Sequence, residues 1–291
     1  MQKALDKANA LIEALNYIKE FKDKIVVVKL GGSLMEHDQS QQQLLKDIVF
    51  MATVGMKPIL VHGGGKSISN AMNEAGIEPH FVQGRRYTDQ RTLAIAEHVL
   101  CNQINKSIVN TINELGGTAM GLHSLSSCVL FAEQLRLKDD DGRQIDIGMV
   151  GKVKDVNAEL LKALCAAGTI PVIAPIGRDR AGGKLNVNAD TAAGKVAAAV
   201  KAEKLVMMSD THGIYKDPSD PATHLTRLSE TEVQKLIADQ IIKGGMLPKV
   251  DACLEAIAAG VGRTHIIDGG IEHSLLLEIY TDKGIGTLIT Q

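Results

Sequence analysis

Two lysines far apart in the chain, Lys29 and Lys249, each stand close to paired glycines, a combination suited to holding a phosphate. Lys29 ends the run Ile25-Val26-Val27-Val28 and precedes Leu30-Gly31-Gly32-Ser33. A β-branched apolar run fits a parallel strand covered on both faces, so Lys29 emerges where the strand ends and ligands bind. Gly31 and Gly32 lack Cβ atoms, which lets backbone N–H groups approach an anion. A second run, Pro58-Ile59-Leu60-Val61, ends the same way in His62-Gly63-Gly64-Gly65. Two such strand ends in one sheet point to a shared cleft. Gly244-Gly245-Met246-Leu247-Pro248-Lys249 opens a helix and sets Lys249 near its positive end, where a lysine without a function is poorly placed. Asp190 follows Asn186-Val187-Asn188-Ala189 at the head of an alanine-rich helix. It reads either as a first-turn carboxylate that suits the helix dipole or as a functional group. Ser209-Asp210-x-x-Gly213-Ile214-Tyr215 follows a buried strand, as a nucleotide-contacting loop would.

Several better-known phosphate motifs fail. Gly63-Gly64-Gly65-Lys66-Ser67 imitates the end of a P-loop, but Leu60 stands where that pattern needs glycine. Ile68 likewise breaks a dinucleotide fingerprint, and neither an HRD nor a DFG signature occurs. A phosphoryl transferase with these residues belongs to another class.

The elements that must position these groups alternate along the chain. An amphipathic helix over 4–21, with apolar residues Leu5, Ala8, Leu11, Ile12, Leu15, Ile18 and Phe21 on one face, precedes the first strand. The pattern then predicts strand 25–30, helix 40–54, strand 58–61, helix 66–75, helix 89–115 and strand 118–121, a parallel α/β sheet. From Cys128 to Val156 short alternating segments and the turn Asp139-Asp140-Asp141-Gly142 predict antiparallel hairpins that form a lid. Helix 157–167, strand 170–174, helix 189–201, strand 204–208, helices 229–238 and 248–260 and strand 264–267 resume the rhythm. Glycine and charge cluster at Gly177 to Lys184, which places a boundary there: an N-terminal helix over 1–22, one lobe over 23–180 and a second over 181–291.

With 291 residues, 45% of them apolar, the chain can bury a large core. A formal net charge of −2, no tryptophan and 3% aromatic residues argue against a nucleic-acid partner. No long uncharged apolar run and no secretory leader are evident, so the reading is a cytoplasmic protein without a membrane partner. Cys101, Cys128, Cys165 and Cys253 form no CxxC pair and read as reduced core thiols; the nine histidines form no metal-binding constellation, so no metal site is expected.

Taken in order, VVVKLGGS, VHGGG, Gly84-Arg85-Arg86-Tyr87-Thr88, NVNAD, SDxxGIY and GGMLPKV span nearly the whole chain and closely resemble the N-acetylglutamate kinases of the amino-acid kinase family. The resemblance implies a three-layer αβα sandwich around a largely parallel sheet, in two lobes. It implies ATP with Mg2+ as donor and the side-chain carboxylate of N-acetyl-L-glutamate as acceptor, in arginine biosynthesis. Carried over by position, Lys29 and Lys249 stabilise the transition state and Asp190 orients them. Gly64, Gly65, Arg86 and Asn186 bind the acyl acceptor, while Gly31, Gly32, Ser209, Asp210, Gly213, Tyr215, Gly245 and Met246 meet the nucleotide. The extra N-terminal helix resembles that of members that are hexamers, trimers of dimers, inhibited by L-arginine. Their effector site implies contacts here from Lys216, Glu278, Gly284, Tyr17 and His273. A PII-type signalling protein is a candidate partner of such a ring. Two other readings stay open: another carboxylate or carbamate kinase of this fold, and a catalytically silent arginine sensor.

Overall fold

The structure, a computed structural model, describes residues 1–31, 38–139, 141–280 and 284–291. Its centre is the run Ile25–Leu30, flanked by Lys57–His62 on one side and Lys204–Ser209 on the other, all parallel. Val27 faces one apolar cluster, together with Ile59 and Val61; Val26, Val28 and Leu30 face the other. A strand covered on both faces has no polar side, which is why it reads as an unbroken apolar run.

Eight strands complete the sheet, in the order Arg227–Ser229, Thr287–Thr290, Arg263–Asp268, Lys204–Ser209, Ile25–Leu30, Lys57–His62, Ile170–Ile173 and Ala119–Leu122. Every neighbouring pair is parallel except Arg263–Asp268 with Thr287–Thr290. Helices Ala158–Ala166, Ala189–Val200, Glu230–Ala238 and Leu247–Ala258 supply apolar residues to one cluster. Asp38–Thr53, Gly65–Glu74, Ser274–Tyr280 and the long helical stretch from Gln90 to Glu114 supply the other. The result is the expected αβα sandwich around a largely parallel sheet.

Two features depart from the pattern read in the sequence. The helix over 90–114 widens into π-helical turns across His98–Asn105. The hairpin region does not stand alone: Leu130–Gln134 and Val150–Val156 close into a small barrel with Ile176–Arg178 and Lys184–Val187. The stretch read as a lobe boundary, Gly177 to Lys184, thus contains the turn of a hairpin within that barrel. Asp140, in the predicted turn, lies outside the described residues.

The N-terminal helix Gln2–Phe21 buries Phe21 and packs Tyr17 and Ile18 against the core, but Leu5, Leu11, Ile12 and Leu15 remain exposed. Among the described residues, no helix is long and apolar enough to cross a membrane, and no three His, Cys, Asp or Glu are grouped to hold a metal ion. The four cysteines are free thiols.

Candidate active site

Parallel strands bring their C-terminal ends to one rim of the sheet. Leu30 pairs with His62, and the Gly63 N–H donates to the Leu30 carbonyl at 3.0 Å, so both glycine-rich ends begin side by side. Opposite them starts the helix Ala189–Val200, capped by Asn188, whose Oδ1 accepts from the Thr191 N–H at 2.9 Å. Asp190 sits buried in its first turn.

Lys29 and Lys249 meet at this carboxylate. Lys29 Nζ lies 2.7 Å from Asp190 Oδ1 and Lys249 Nζ 3.7 Å from Oδ2. Lys249, in the first turn of Leu247–Ala258, also donates to the Gly245 carbonyl at 3.3 Å. One negative and two positive charges in a poorly hydrated setting leave a surplus positive charge, which favours an anionic ligand.

A cavity of about 220 Å³ opens beside the triad, lined by Gly63, Gly64, Gly65, Arg86 and Asn186 along with Lys29 and Asp190. Gly64 is required by space: a Cβ there would lie 2.7 Å from Leu100 Cδ2 and Ile104 Cδ1, both carried by the π-helical turns. Arg86 is pinned before any ligand arrives. Its Nη2 donates to Gly65 O and Ser69 Oγ, both at 2.7 Å, its Nη1 meets Met72 Sδ at 3.2 Å, and its plane lies over the Phe81 ring. Burial draws its pKa below the usual arginine range. Such a fixed fork suits a carboxylate.

His62 is fully buried behind the glycines. Asn105 Nδ2 donates to His62 Nε2 at 3.1 Å, so the proton must sit on Nδ1, which donates to the Gly63 carbonyl at 3.0 Å. Burial lowers the imidazole to about 4, keeping it neutral at ordinary pH.

A second cavity, about 560 Å³, is lined by Asp210, Gly213, Tyr215 and Met246, four of the residues expected to meet a nucleotide, and by the apolar side chains of Ile214, Ile241 and Ile242. Ser209 is buried just behind it, its Oγ donating to Asp210 Oδ1 at 3.3 Å. Gly245 contributes the carbonyl that receives Lys249, and Gly31 is buried at the end of its strand; neither lines this cavity. Gly32 lies outside the described residues.

The residues expected to hold an effector separate into two groups. Tyr17, Glu278 and Gly284 line a third cavity of about 560 Å³, with Phe21, Lys204, Arg227, Arg263 and His265. His273 is not there: its Nδ1 pairs with buried Asp47 at 2.6 Å, tying the loop after Arg263–Asp268 to the helix Asp38–Thr53. Lys216 is not among the lining residues either, and lies in the hairpin of Ile214–Tyr215 with His224–Leu225. The histidine in contact with Glu278 is His265, and sequence reasoning missed it. It points from a strand interior, where no local motif marks it. Lys204, the first residue of its strand, was missed as well, since no motif surrounds it.

A model of the amino acid kinase family matches residues 24–268, which contain every residue of the triad and its cavity. The chain belongs to this family. It is 45% identical to the acetylglutamate kinase of Halothermothrix orenii, over 99% of each chain, and 47% identical to that of Methanothermobacter thermautotrophicus, over 97% of this chain and 99% of the relative. Among solved structures, N-acetylglutamate synthase from Neisseria gonorrhoeae, complexed with coenzyme A and N-acetyl-glutamate, superposes with a TM-score of 0.85 at 24% identity. The match covers 98% of this chain and 63% of the synthase, a likeness of fold.

Proposed function

We propose that this protein transfers the γ-phosphoryl group of MgATP to the side-chain carboxylate of N-acetyl-L-glutamate, giving N-acetyl-L-glutamyl 5-phosphate, an early step toward arginine in the cytoplasm. The observation that carries the proposal is the convergence of Lys29 and Lys249 on Asp190, beside a cavity with a pinned arginine. The nearly full-length kinship to acetylglutamate kinases supports it.

The chemistry suits these residues. A glutamate side chain has a reference pKa of about 4.3, so the acceptor is already ionised and needs no general base. Phosphoryl transfer then depends on alignment and on positive charge around the moving group. Lys29 and Lys249 supply that charge from opposite sides, and Asp190 holds both ammonium groups in place. Arg86 receives the α-carboxylate. The Asp190 carboxylate is already shared between two lysines, and the Mg2+ enters with ATP as part of the MgATP substrate. Asp210, Gly213, Tyr215 and Met246 receive the nucleotide.

Acylation removes the ammonium charge of the amino acid. Among the described residues lining the cavity Asp190 is the one acidic side chain, which suits an acylated acceptor and not a free amino acid. A coupled ATP assay with N-acetyl-L-glutamate, free glutamate, aspartate and carbamate tests this. Turnover is expected with the first alone; preference for any of the others, or turnover with none, overturns the reading.

A second reading concerns regulation: L-arginine inhibits the enzyme by binding the cavity of Tyr17, His265 and Glu278, where Glu278 offers a carboxylate to a guanidinium. The exposed Leu5, Leu11, Ile12 and Leu15 support assembly of dimers into a hexameric ring through the N-terminal helix, to which a PII-type regulator could dock. Removing residues 1–20 is expected to give smaller oligomers insensitive to arginine, measured by light scattering and inhibition curves.

A further inference from the structure

Thr88 is buried, carries no charge and does not line the acceptor cavity, yet it joins three segments that do. Its hydroxyl donates to the Arg86 carbonyl at 2.9 Å and lies 3.2 Å from Asn186 Nδ2. Its own backbone meets the barrel: the Thr88 N–H donates to Ile147 O at 3.1 Å, and Met149 N–H donates to Thr88 O at 2.6 Å. Between these two lies Gly148, where a Cβ would come within 2.3 Å of the Thr88 carbonyl oxygen, so this approach of the barrel loop to Thr88 leaves no room for a side chain there.

Counting donors and acceptors decides how Asn186 stands. A hydroxyl has one proton, and that of Thr88 is committed to the Arg86 carbonyl. Toward Asn186 it can then only accept, so the amide must present Nδ2 to Thr88, which fixes the amide's orientation and leaves Oδ1 as the acceptor, beside the second Nδ2 proton, for a ligand in the cavity that Asn186 lines. An oxygen there welcomes an N–H and repels a carboxylate. The acceptor's acylated nitrogen carries one N–H, whereas its two carboxylates carry none.

We propose that Thr88 is a positioning residue for the acceptor half of the site: it fixes the amide of Asn186 with its oxygen toward the cavity, and so sets recognition of an acylamide N–H. This rests on the acyl-acceptor reading above. Thr88 touches no reacting group itself and acts through Asn186.

The test measures binding of N-acetyl-L-glutamate by calorimetry, together with KM for both substrates, in the full-length enzyme and in Thr88→Val, Thr88→Ser, Asn186→Ala and the Thr88→Val/Asn186→Ala double variant. Thr88→Val keeps the shape and removes the hydroxyl. It is expected to weaken N-acetyl-L-glutamate binding about tenfold, the factor carried by one well-placed hydrogen bond, while KM for MgATP stays within about twofold. Thr88→Ser is expected to recover the loss, and Thr88→Val is expected to add no more than about twofold in the Asn186→Ala background. Equal weakening of both substrates, no recovery by serine, or a full tenfold loss in the Asn186→Ala background overturns the positioning role while leaving the acceptor assignment intact. Absence of N-acetyl-L-glutamate binding by the wild type overturns the acceptor assignment, and this role with it. Should Thr88→Val not fold, the Thr88→Ser and Asn186→Ala variants carry the test: serine must bind N-acetyl-L-glutamate as the wild type does, and Asn186→Ala must weaken that binding without weakening MgATP.

Discussion

Asp190 and Glu278 are both buried carboxylates with two basic side chains close by, and they are held in opposite ways. Asp190 meets two lysine side chains, one from a central strand and one from a helix far along the chain, at 2.7 and 3.7 Å. Glu278 is locked locally: its Oε2 accepts the Ile285 N–H at 2.9 Å and the Gly286 N–H at 3.3 Å, while Oε1 contacts His265. Burial pushes the Glu278 carboxyl up, but His265, nearby Lys204 and the Ile285 N–H together outweigh it and hold the group below the usual glutamate range. Burial also brings Lys204 down to about 8, with Glu278 resisting. The difference matches what the proposed function asks of each pocket. Long side chains converging on one acid can follow a phosphoryl group as it moves, whereas an acid fastened by backbone amides offers a ligand a fixed surface.

Breaking each arrangement in turn gives effects of decreasing size. Lys29→Ala or Lys249→Ala is expected to lower kcat by about 100- to 1000-fold, the scale of one preorganised donor, with the circular dichroism spectrum unchanged. Wild-type turnover by either would remove that lysine from the chemistry. Lys204→Met sharpens the contrast through pH. A lysine whose folded pKa lies below its unfolded value penalises the fold while charged; the penalty is complete below about pH 8 and is relieved as pH rises toward 10.5. The stability advantage of Lys204→Met over wild type, from urea unfolding, is therefore expected to shrink by up to about 3 kcal/mol between pH 7.5 and 10. A gap that widens or stays constant would show that Lys204 does not titrate in this window. Glu278→Gln gives the smallest change in turnover: kcat without effector within about twofold of wild type, and inhibition by arginine abolished. Persistent inhibition would move the effector elsewhere.

Much of the cleft was legible because its signals are local. Lys29 follows an apolar run that only a doubly covered strand explains, and Gly64 stands just past a second such run. Asp190, Arg86 and Asn186 come from segments whose order could be read, and the structure gathers them around one cavity. What escaped depends on distant pairing. Ile176–Arg178 and Lys184–Val187 become strands only because Leu130–Gln134 and Val150–Val156 lie beside them, and a cluster of glycine and charge in their turn imitates a linker. His273 and His265 illustrate the same limit within one short stretch. His273 adopts a left-handed backbone, φ +56°, and pairs with Asp47, while His265 reaches Glu278 from its strand. No spacing rule distinguishes two histidines whose roles are set by which helix each one faces.

The widened turns over His98–Asn105 carry a consequence of their own. Leu100 and Ile104 press on Gly64 from this segment, and Asn105 reaches His62 and the Val172 carbonyl. A π-helical turn holds more residues per revolution than its α-helical neighbours, so excising a single residue would let the rod rewind to the commoner geometry. The helix on either side would keep its phase, while the tightened turns would carry those three side chains out of their present places beside Gly64 and His62. The rod itself would be no worse off, and the wall behind Gly64 would lose its shape.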